Sequence, residues 1–211
     1  MMLDPPRLRR ARAEDAATAA PLLVQALDVL ALELAGVECL EAAVPLFHEL
    51  FRLPGNRYSH AHAWVLDGTA GVVGVLLAYP GRDEALLAEA TLDWLRARAP
   101  GRVLVHQPES DPGEFYLDAL AVAGSQRGRG LAAVMIDGLC DAARQLGHAR
   151  VGLLVDDAKP RARAVRTPRL RRRWPARGRR PRVCAHDARA ARANGLADQR
   201  TIRSSNHFAF E

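Results

Sequence analysis

The chain has 211 residues, 49% of them hydrophobic and 26% charged, which suits a globular protein with one main core and excludes a wholly disordered or fibrous one. No apolar run nears the roughly 18 residues of a membrane span, and the first ten residues carry Pro, Asp and Arg where a signal peptide has an apolar centre, so a cytoplasmic protein with no membrane partner is expected. The net charge of +6 is unevenly placed: residues 1–162 hold 16 Lys+Arg against 21 Asp+Glu, and residues 163–211 hold 14 against 3.

A short opening strand is predicted over Leu8 to Ala13, followed by an Ala-rich helix through Leu22, Leu23 and Leu27 with Glu14-Asp15 as its acidic start and a break or kink at Pro21. Leu40, Val44, Phe47, Leu50 and Phe51 recur at helical spacing and predict a second helix, ended by Pro54-Gly55, whose stripe reads as core. Ala63 to Leu66 and Val72 to Tyr79, joined through Asp67-Gly68, read as a hairpin. Glu84 to Arg98 is helical in its spacing, and Phe115 to Val122, apolar on both faces apart from Asp118, reads as a central strand. A helix over Ala132 to Leu146, closed by Gly147, and a buried strand over Val151 to Val155 complete a mixed α/β sheet flanked by helices.

Cys39, Cys140 and Cys184 are odd in number and lack metal-type spacing, which supports neither a disulfide framework nor a zinc site. His60 and His62 share a strand face on this reading, but without a third ligand they do not make a metal site.

The most informative stretch runs from the Phe115 to Val122 strand through Ala123-Gly-Ser125 and Gln126-Arg-Gly-Arg-Gly-Leu131 into a helix. A glycine-bearing loop at a helix start gathers free backbone N–H groups at the positive end of the helix dipole, a geometry suited to a pyrophosphate. Gly128 and Gly130 permit backbone angles closed to other residues, and Arg127 and Arg129 can add charge-assisted bonds to phosphates. Gly128-Arg-Gly-Leu-Ala-Ala133 also fits the dinucleotide fingerprint G-x-G-x-x-A, with Asp156 ending the next strand. Against that reading, five residues separate Val122 from Gly128, and too little chain follows Asp156 to build the second half of a doubly wound sheet.

With its strand, helix and upstream order of elements, this stretch resembles motif A of the GNAT superfamily, the acyl-CoA-dependent N-acyltransferases, on Leu120, Val122, Gln126, Gly128 and Gly130. The resemblance runs from about Leu8 to Ala162 and implies the GNAT fold, with residues 1–162 as the acyltransferase domain. It implies acetyl-CoA as co-substrate and an amine as acceptor. It also implies that the amides of Gln126, Arg127, Gly128, Arg129, Gly130 and Leu131 hold the CoA pyrophosphate while the backbone of Leu120, Ala121 and Val122 pairs with the pantetheine arm. A homodimer is compatible with it.

An alkylamine with a pKa near ~10 is mostly protonated at neutral pH, so acyl transfer needs a base or a water chain to remove a proton. Asp118, polar within an apolar strand, and Glu114, at the start of that strand, are the candidates, each set against a plain structural role as a hydrogen-bonded strand residue or a loop carboxylate.

Family members continue after motif A with a strand, then Asn-x-x-Ala-x-x-hydrophobic-Tyr on a helix, then Gly-Phe and two strands. Here Lys159-Pro-Arg-Ala162 fits the next step, with Lys159 in the place of Asn, and then the likeness stops, Val165 and Arg166 standing near the position of the tyrosine that in many members protonates the departing thiolate. Arg163 to Arg182 is half arginine with three prolines and cannot bury an apolar face, so residues 163–211 are expected to be an atypical tail, disordered or poorly packed. Ala164 to Arg171 can be encoded with standard codons so that the frame displaced by one base reads Leu-Tyr-Glu-Arg-Leu-Gly-Phe, a family-type continuation, which points to a frame-shifted segment. Two alternatives remain beside an N-acetyltransferase with an impaired end: a non-catalytic acyl-CoA-binding remnant, and nonspecific nucleic-acid binding through the Arg-rich tail by counterion release.

Overall fold

The computed structural model describes residues 6–69 and 71–154, together with the backbone of 184–186 and 208–209. Lys159 to Ala162, Asp156, Val165, Arg166 and the Arg-rich run over Arg163 to Arg182 lie outside the described residues.

Five strands make the body of the sheet: β1 (Arg7–Arg10), β2 (Ala63–Gly68), β3 (Gly71–Pro80), β4 (Phe115–Val122) and β5 (Val151–Leu154). They stand in sequence order, antiparallel from β1 to β4, with β4 and β5 parallel across the connecting helix α5 (Leu131–Gln145). Two short segments add to it, β6 (Cys184–His186) parallel to β5 and β7 (Phe208–Ala209) parallel to β4.

Alternation along the strands divides the core into two layers. Val65, Val75, Leu77, Ala119 and Ala121 face a cluster with helices α1 (Ala16–Leu27), α2 (Val29–Ala35) and α3 (Leu40–Arg52). Leu66, Leu76, Leu120 and Val122 face α5 through Met135, Ile136 and Leu139. Helix α4 (Glu84–Arg98) joins β3 to β4 and sets Leu87 against Tyr79 and Tyr116. Each buried Leu or Val contributes about 1.5–3 kcal/mol, so β4, buried along its whole length, is the most firmly anchored strand.

Several expectations are corrected. β1 ends at Arg10, because Asp15 accepts the Arg12 N–H at 2.7 Å and turns residues 13–15 into a 3-10 turn. α1 runs through Pro21 and breaks instead at Asp28 (φ 53°), where the chain bends by 112° into α2, a helix the sequence pattern did not separate. His60 and His62 do not share a strand face: Ser59 accepts the Ala61 N–H and holds residues 60–62 in a 3-10 turn ahead of β2. Among the described residues no single helix is long and apolar enough to cross a membrane.

Candidate functional site

β4 carries or adjoins every residue singled out for the site in the sequence. Leu120, Ala121 and Val122 lie fully within the sheet, and their strand continues through a 3-10 turn (Gly124–Gln126) into α5. Gly128 (φ 74°) and Gly130 (φ 73°) adopt the left-handed conformation expected of them, and nothing lies within 4 Å of where a Cβ would stand on either. Backbone geometry, not crowding by the described residues, therefore calls for glycine.

No hydrogen bond among the described residues takes up the N–H of Gly128, Arg129, Gly130, Leu131 or Ala132. These donors stand at the positive end of a helix of 15 residues, the arrangement that favours an anion. Arg127 folds back, its Nε donating to the Val122 carbonyl at 3.1 Å, while Arg129 bonds the Gln126 side-chain oxygen. All six loop residues from Gln126 to Leu131 are thus gathered at one helix start.

On the other side of the loop, the pairing of β4 with β5 among the described residues runs from Phe115 to Leu117, against Val151 to Leu153. Beyond Leu117 that edge of β4 is left by β5, and Leu120 and Ala121 pair instead with Phe208 and Ala209. The opposite edge stays zipped to β3, with one irregularity: Leu77 faces Ala119 and Ala78 faces Leu117, which makes Asp118 the extra residue of a β-bulge.

The bulge aims Asp118 into a buried polar network. Arg57 donates through Nε to Asp118 Oδ2 at 2.8 Å and through Nη2 to Oδ1 at 2.7 Å, and Tyr79 donates its hydroxyl to Oδ2 at 3.0 Å. Arg57 Nη2 also reaches Glu109 at 2.9 Å, which accepts the Tyr116 hydroxyl at 3.2 Å. Burial opposes the charge on Arg57, but the carboxylate of Asp118 outweighs it and raises the guanidinium pKa above its usual value; burial raises the Tyr79 and Tyr116 phenols. Arg57 Nη1 lies 3.1 Å from His106 Nδ1, and because a guanidinium only donates, that ring nitrogen is the acceptor; His106 Nε2 lies 3.0 Å from Glu84 Oε1 but, buried, makes no hydrogen bond of good geometry among the described residues. Burial pushes the Glu84 carboxyl up, but the nearby His106 and hydrogen bonds from Ser110 bring it below its ordinary value.

Of the two carboxylates singled out in the sequence, Asp118 therefore stands at the middle of β4, four residues before the end of the strand that leads to the glycine loop. Glu114 does not join it: its Oε1 accepts the Asp111 N–H at 3.0 Å, its carboxylate overlies Gly152, and it tightens the turn that starts β4. Eight residues of strand separate that end from the loop, on the order of 26 Å at the usual rise. Sequence reasoning missed Arg57, Tyr79, Glu109 and His106. The available signal was Asp118 itself, since a carboxylate in a fully buried strand requires a cation and donors from elsewhere.

The sequence profile of the Acetyltransferase (GNAT) family matches residues 25–166. Among solved structures, an acetyltransferase is 27% identical, with 75% of this chain and 85% of that one covered at a TM-score of 0.62. An N-acetyltransferase from Staphylococcus aureus Mu50 is 22% identical over 64% of this chain and 75% of its own, with a TM-score of 0.49. A GNAT family acetyltransferase from Brucella melitensis in complex with acetyl-CoA is 17% identical over 77% of this chain and 82% of its own, with a TM-score of 0.42. No curated protein matches the chain. The profile and the first structure agree with the acyltransferase reading of the glycine loop rather than the dinucleotide one, as does the 3-10 turn that holds Gly128 away from the end of β4.

Proposed function

The chain belongs to the GNAT acetyltransferase family, and from that premise we propose that it moves an acyl group, most simply acetyl from acetyl-CoA, onto the nitrogen of an amine. The observation that carries this reading is the run of N–H groups from Gly128 to Ala132 that no bond among the described residues takes up. Bound there, acyl-CoA supplies a thioester carbonyl and a thiolate leaving group.

The residues then divide the work. Backbone donors from Gly128 to Leu131 take the pyrophosphate, with Arg127 and Arg129 as the nearby cations and Gln126 holding Arg129 in place. The edge of β4 at Leu120, Ala121 and Val122, which β5 leaves, takes the pantetheine arm. Asp118 serves the amine side. Its oxygens are engaged by Arg57 and Tyr79, and receiving a proton directly requires breaking an arm of that ion pair, so its proposed part is to position the network while the amine proton passes to water. Glu114 has a structural part at the turn. The domain that performs this chemistry is residues 1–162.

Calorimetry with acetyl-CoA tests the site directly. Gly130→Val forces a β-branched residue to φ 73°, a strain of about 1–3 kcal/mol, and is expected to weaken binding by about tenfold or more. Release of CoA thiol with a panel of amines tests turnover. Unchanged affinity in the variant would move the site elsewhere, and no binding of acetyl-CoA by the parent chain ends the proposal.

A further inference from the structure

Between α4 and β4 the chain runs through residues 102–111 without helix or strand, yet this segment carries Glu109 and His106, two of the groups that hold Arg57. A stretch outside any ladder has its backbone groups satisfied by side chains. Glu84, the first residue of α4 and 2% exposed, supplies them here. Its Oε1 accepts the Glu109 N–H at 2.9 Å, and its Oε2 accepts the Ser110 N–H at 2.9 Å together with the Ser110 hydroxyl.

The fastened segment then meets Arg57. Asp118 takes the Nε and Nη2 edge of the guanidinium, while Glu109 takes Nη2 at 2.9 Å and His106 Nδ1 stands 3.1 Å from Nη1. A planar fork bonded along two edges is fixed against rotation within its own plane. Contacts therefore run without a gap from α4 to β4: the Glu84 carboxylate to the Glu109 backbone, the Glu109 side chain to Arg57, and Arg57 to Asp118.

Stability alone does not call for this arrangement. Three carboxylates, Asp118, Glu109 and Glu84, are buried around one guanidinium, and well-packed apolar side chains of like volume are commonly as stable as buried ion pairs. His106 shows what sets the geometry. Its Nδ1 is turned to Arg57, and its Nε2, buried 3.0 Å from Glu84 Oε1, is left without a bond of good geometry among the described residues. Buried polar atoms are normally satisfied, so the ring is oriented for Arg57 and not for its own second nitrogen.

We propose that Glu84 is a positioning residue for acyl transfer: it fastens residues 106–110 so that Glu109 and His106 fix the Arg57 guanidinium, and Arg57 in turn fixes Asp118, two residues before the expected pantetheine edge at Leu120. The inference rests on the acyl-transfer reading above for what is positioned, and on the hydrogen bonds alone for the relay. Glu84 acts in it only through Arg57 and meets no reacting atom.

The test reads Arg57 directly, through solvent exchange of its Nε–H followed by NMR on the full chain with isotope-labelled arginine, the Arg57→Lys variant identifying the signal. Glu84→Gln keeps the shape but turns one acceptor into a donor facing an N–H, and should speed that exchange by about tenfold or more, the worth of a hydrogen bond to a charged group. Ser110→Ala, the milder variant should the first not fold, removes one donor from Glu84 and should speed it about threefold. Glu109→Gln should match Glu84→Gln, and the two together should do little more than either, since they act along one line. With acetyl-CoA and the amine that turns over fastest, Glu84→Gln should lower kcat by about tenfold while the KM and the calorimetric Kd for acetyl-CoA stay within about twofold. Unchanged Arg57 exchange in Glu84→Gln and Ser110→Ala, or effects that add in the double variant, would overturn the relay. Faster exchange with unchanged kcat would make Glu84 a residue of the fold alone and overturn its positioning role. A parent chain that binds no acetyl-CoA, or turns over no amine, would sink the acyl-transfer reading and the role with it, while Arg57 exchange would still decide the relay.

Discussion

The Arg57 guanidinium and the Asp118 carboxylate lie edge to edge, Nε to Oδ2 at 2.8 Å and Nη2 to Oδ1 at 2.7 Å, and so join the segment after α3 to the bulge of β4 across 61 positions of sequence. Both side chains are buried, at 4% and 0% exposure, so each charge depends on the other for its solvation.

The first consequence concerns stability. Arg57→Met leaves an uncompensated carboxylate inside the sheet and is expected to cost about 3–5 kcal/mol, read as a lower denaturant midpoint at unchanged m-value. Adding Asp118→Leu removes the stranded charge and should restore much of the loss. Additive losses in the double variant would mean that the two groups do not act as a pair.

The second concerns catalysis. If Asp118 positions the network, Asp118→Asn should lower kcat/KM by about tenfold while the rate still rises with pH at the same midpoint. A carboxylate that itself takes the amine proton would give a loss of about 10²–10⁴ and would remove or displace that limb. The pH profile separates the two roles even where the rates alone do not.

Much of this architecture was legible in the sequence because it rests on local rules. Glu84 to Arg98 and Phe115 to Val122 were read to the residue, the first from the spacing of Leu87, Leu92 and Leu95 ahead of Pro100-Gly101 and the second from an eight-residue run apolar on both faces apart from Asp118. The glycine loop was equally legible, because φ near +73° admits few residues other than Gly. What stayed hidden is tertiary. Nothing near Arg57 in the chain announces a partner 61 positions away, and α2 was missed because Asp28, a non-glycine residue at φ 53°, breaks a pattern that reads as continuous. The tolerance of Pro21 within α1 is of the same kind: one lost backbone bond costs less than the burial of Leu22, Leu23 and Leu27 secures.

A third expectation follows from β7. Phe208 and Ala209 pair in parallel with Leu120 and Ala121, the backbone proposed for the pantetheine arm, so segment and ligand compete for one edge. Deleting residues 207–211 should tighten acetyl-CoA binding severalfold. Equal or weaker acetyl-CoA binding in the shortened chain would show that the pairing does not oppose the ligand.

The last expectation concerns the segment after β5. The family profile stops matching at residue 166, close to where the Asn-x-x-Ala helix pattern gives way to the Arg-rich run and where the displaced frame reads Leu-Tyr-Glu-Arg-Leu-Gly-Phe. A chain continued in that frame has apolar residues with which to cover the sheet beyond β5, whereas ten arginines within residues 163–182 cannot do so without burying unpaired charge. The tyrosine it restores would also give the departing thiolate a proton donor, as the family resemblance implies. Two full-length chains, differing only from Ala164 onward, should therefore differ in thermal midpoint by several degrees and in acetyl-CoA consumption with amines by at least about tenfold, the displaced-frame chain being higher in both. Equal midpoints and equal rates would establish the Arg-rich tail as a native part of the protein, and its charge would then have to be explained by what it binds.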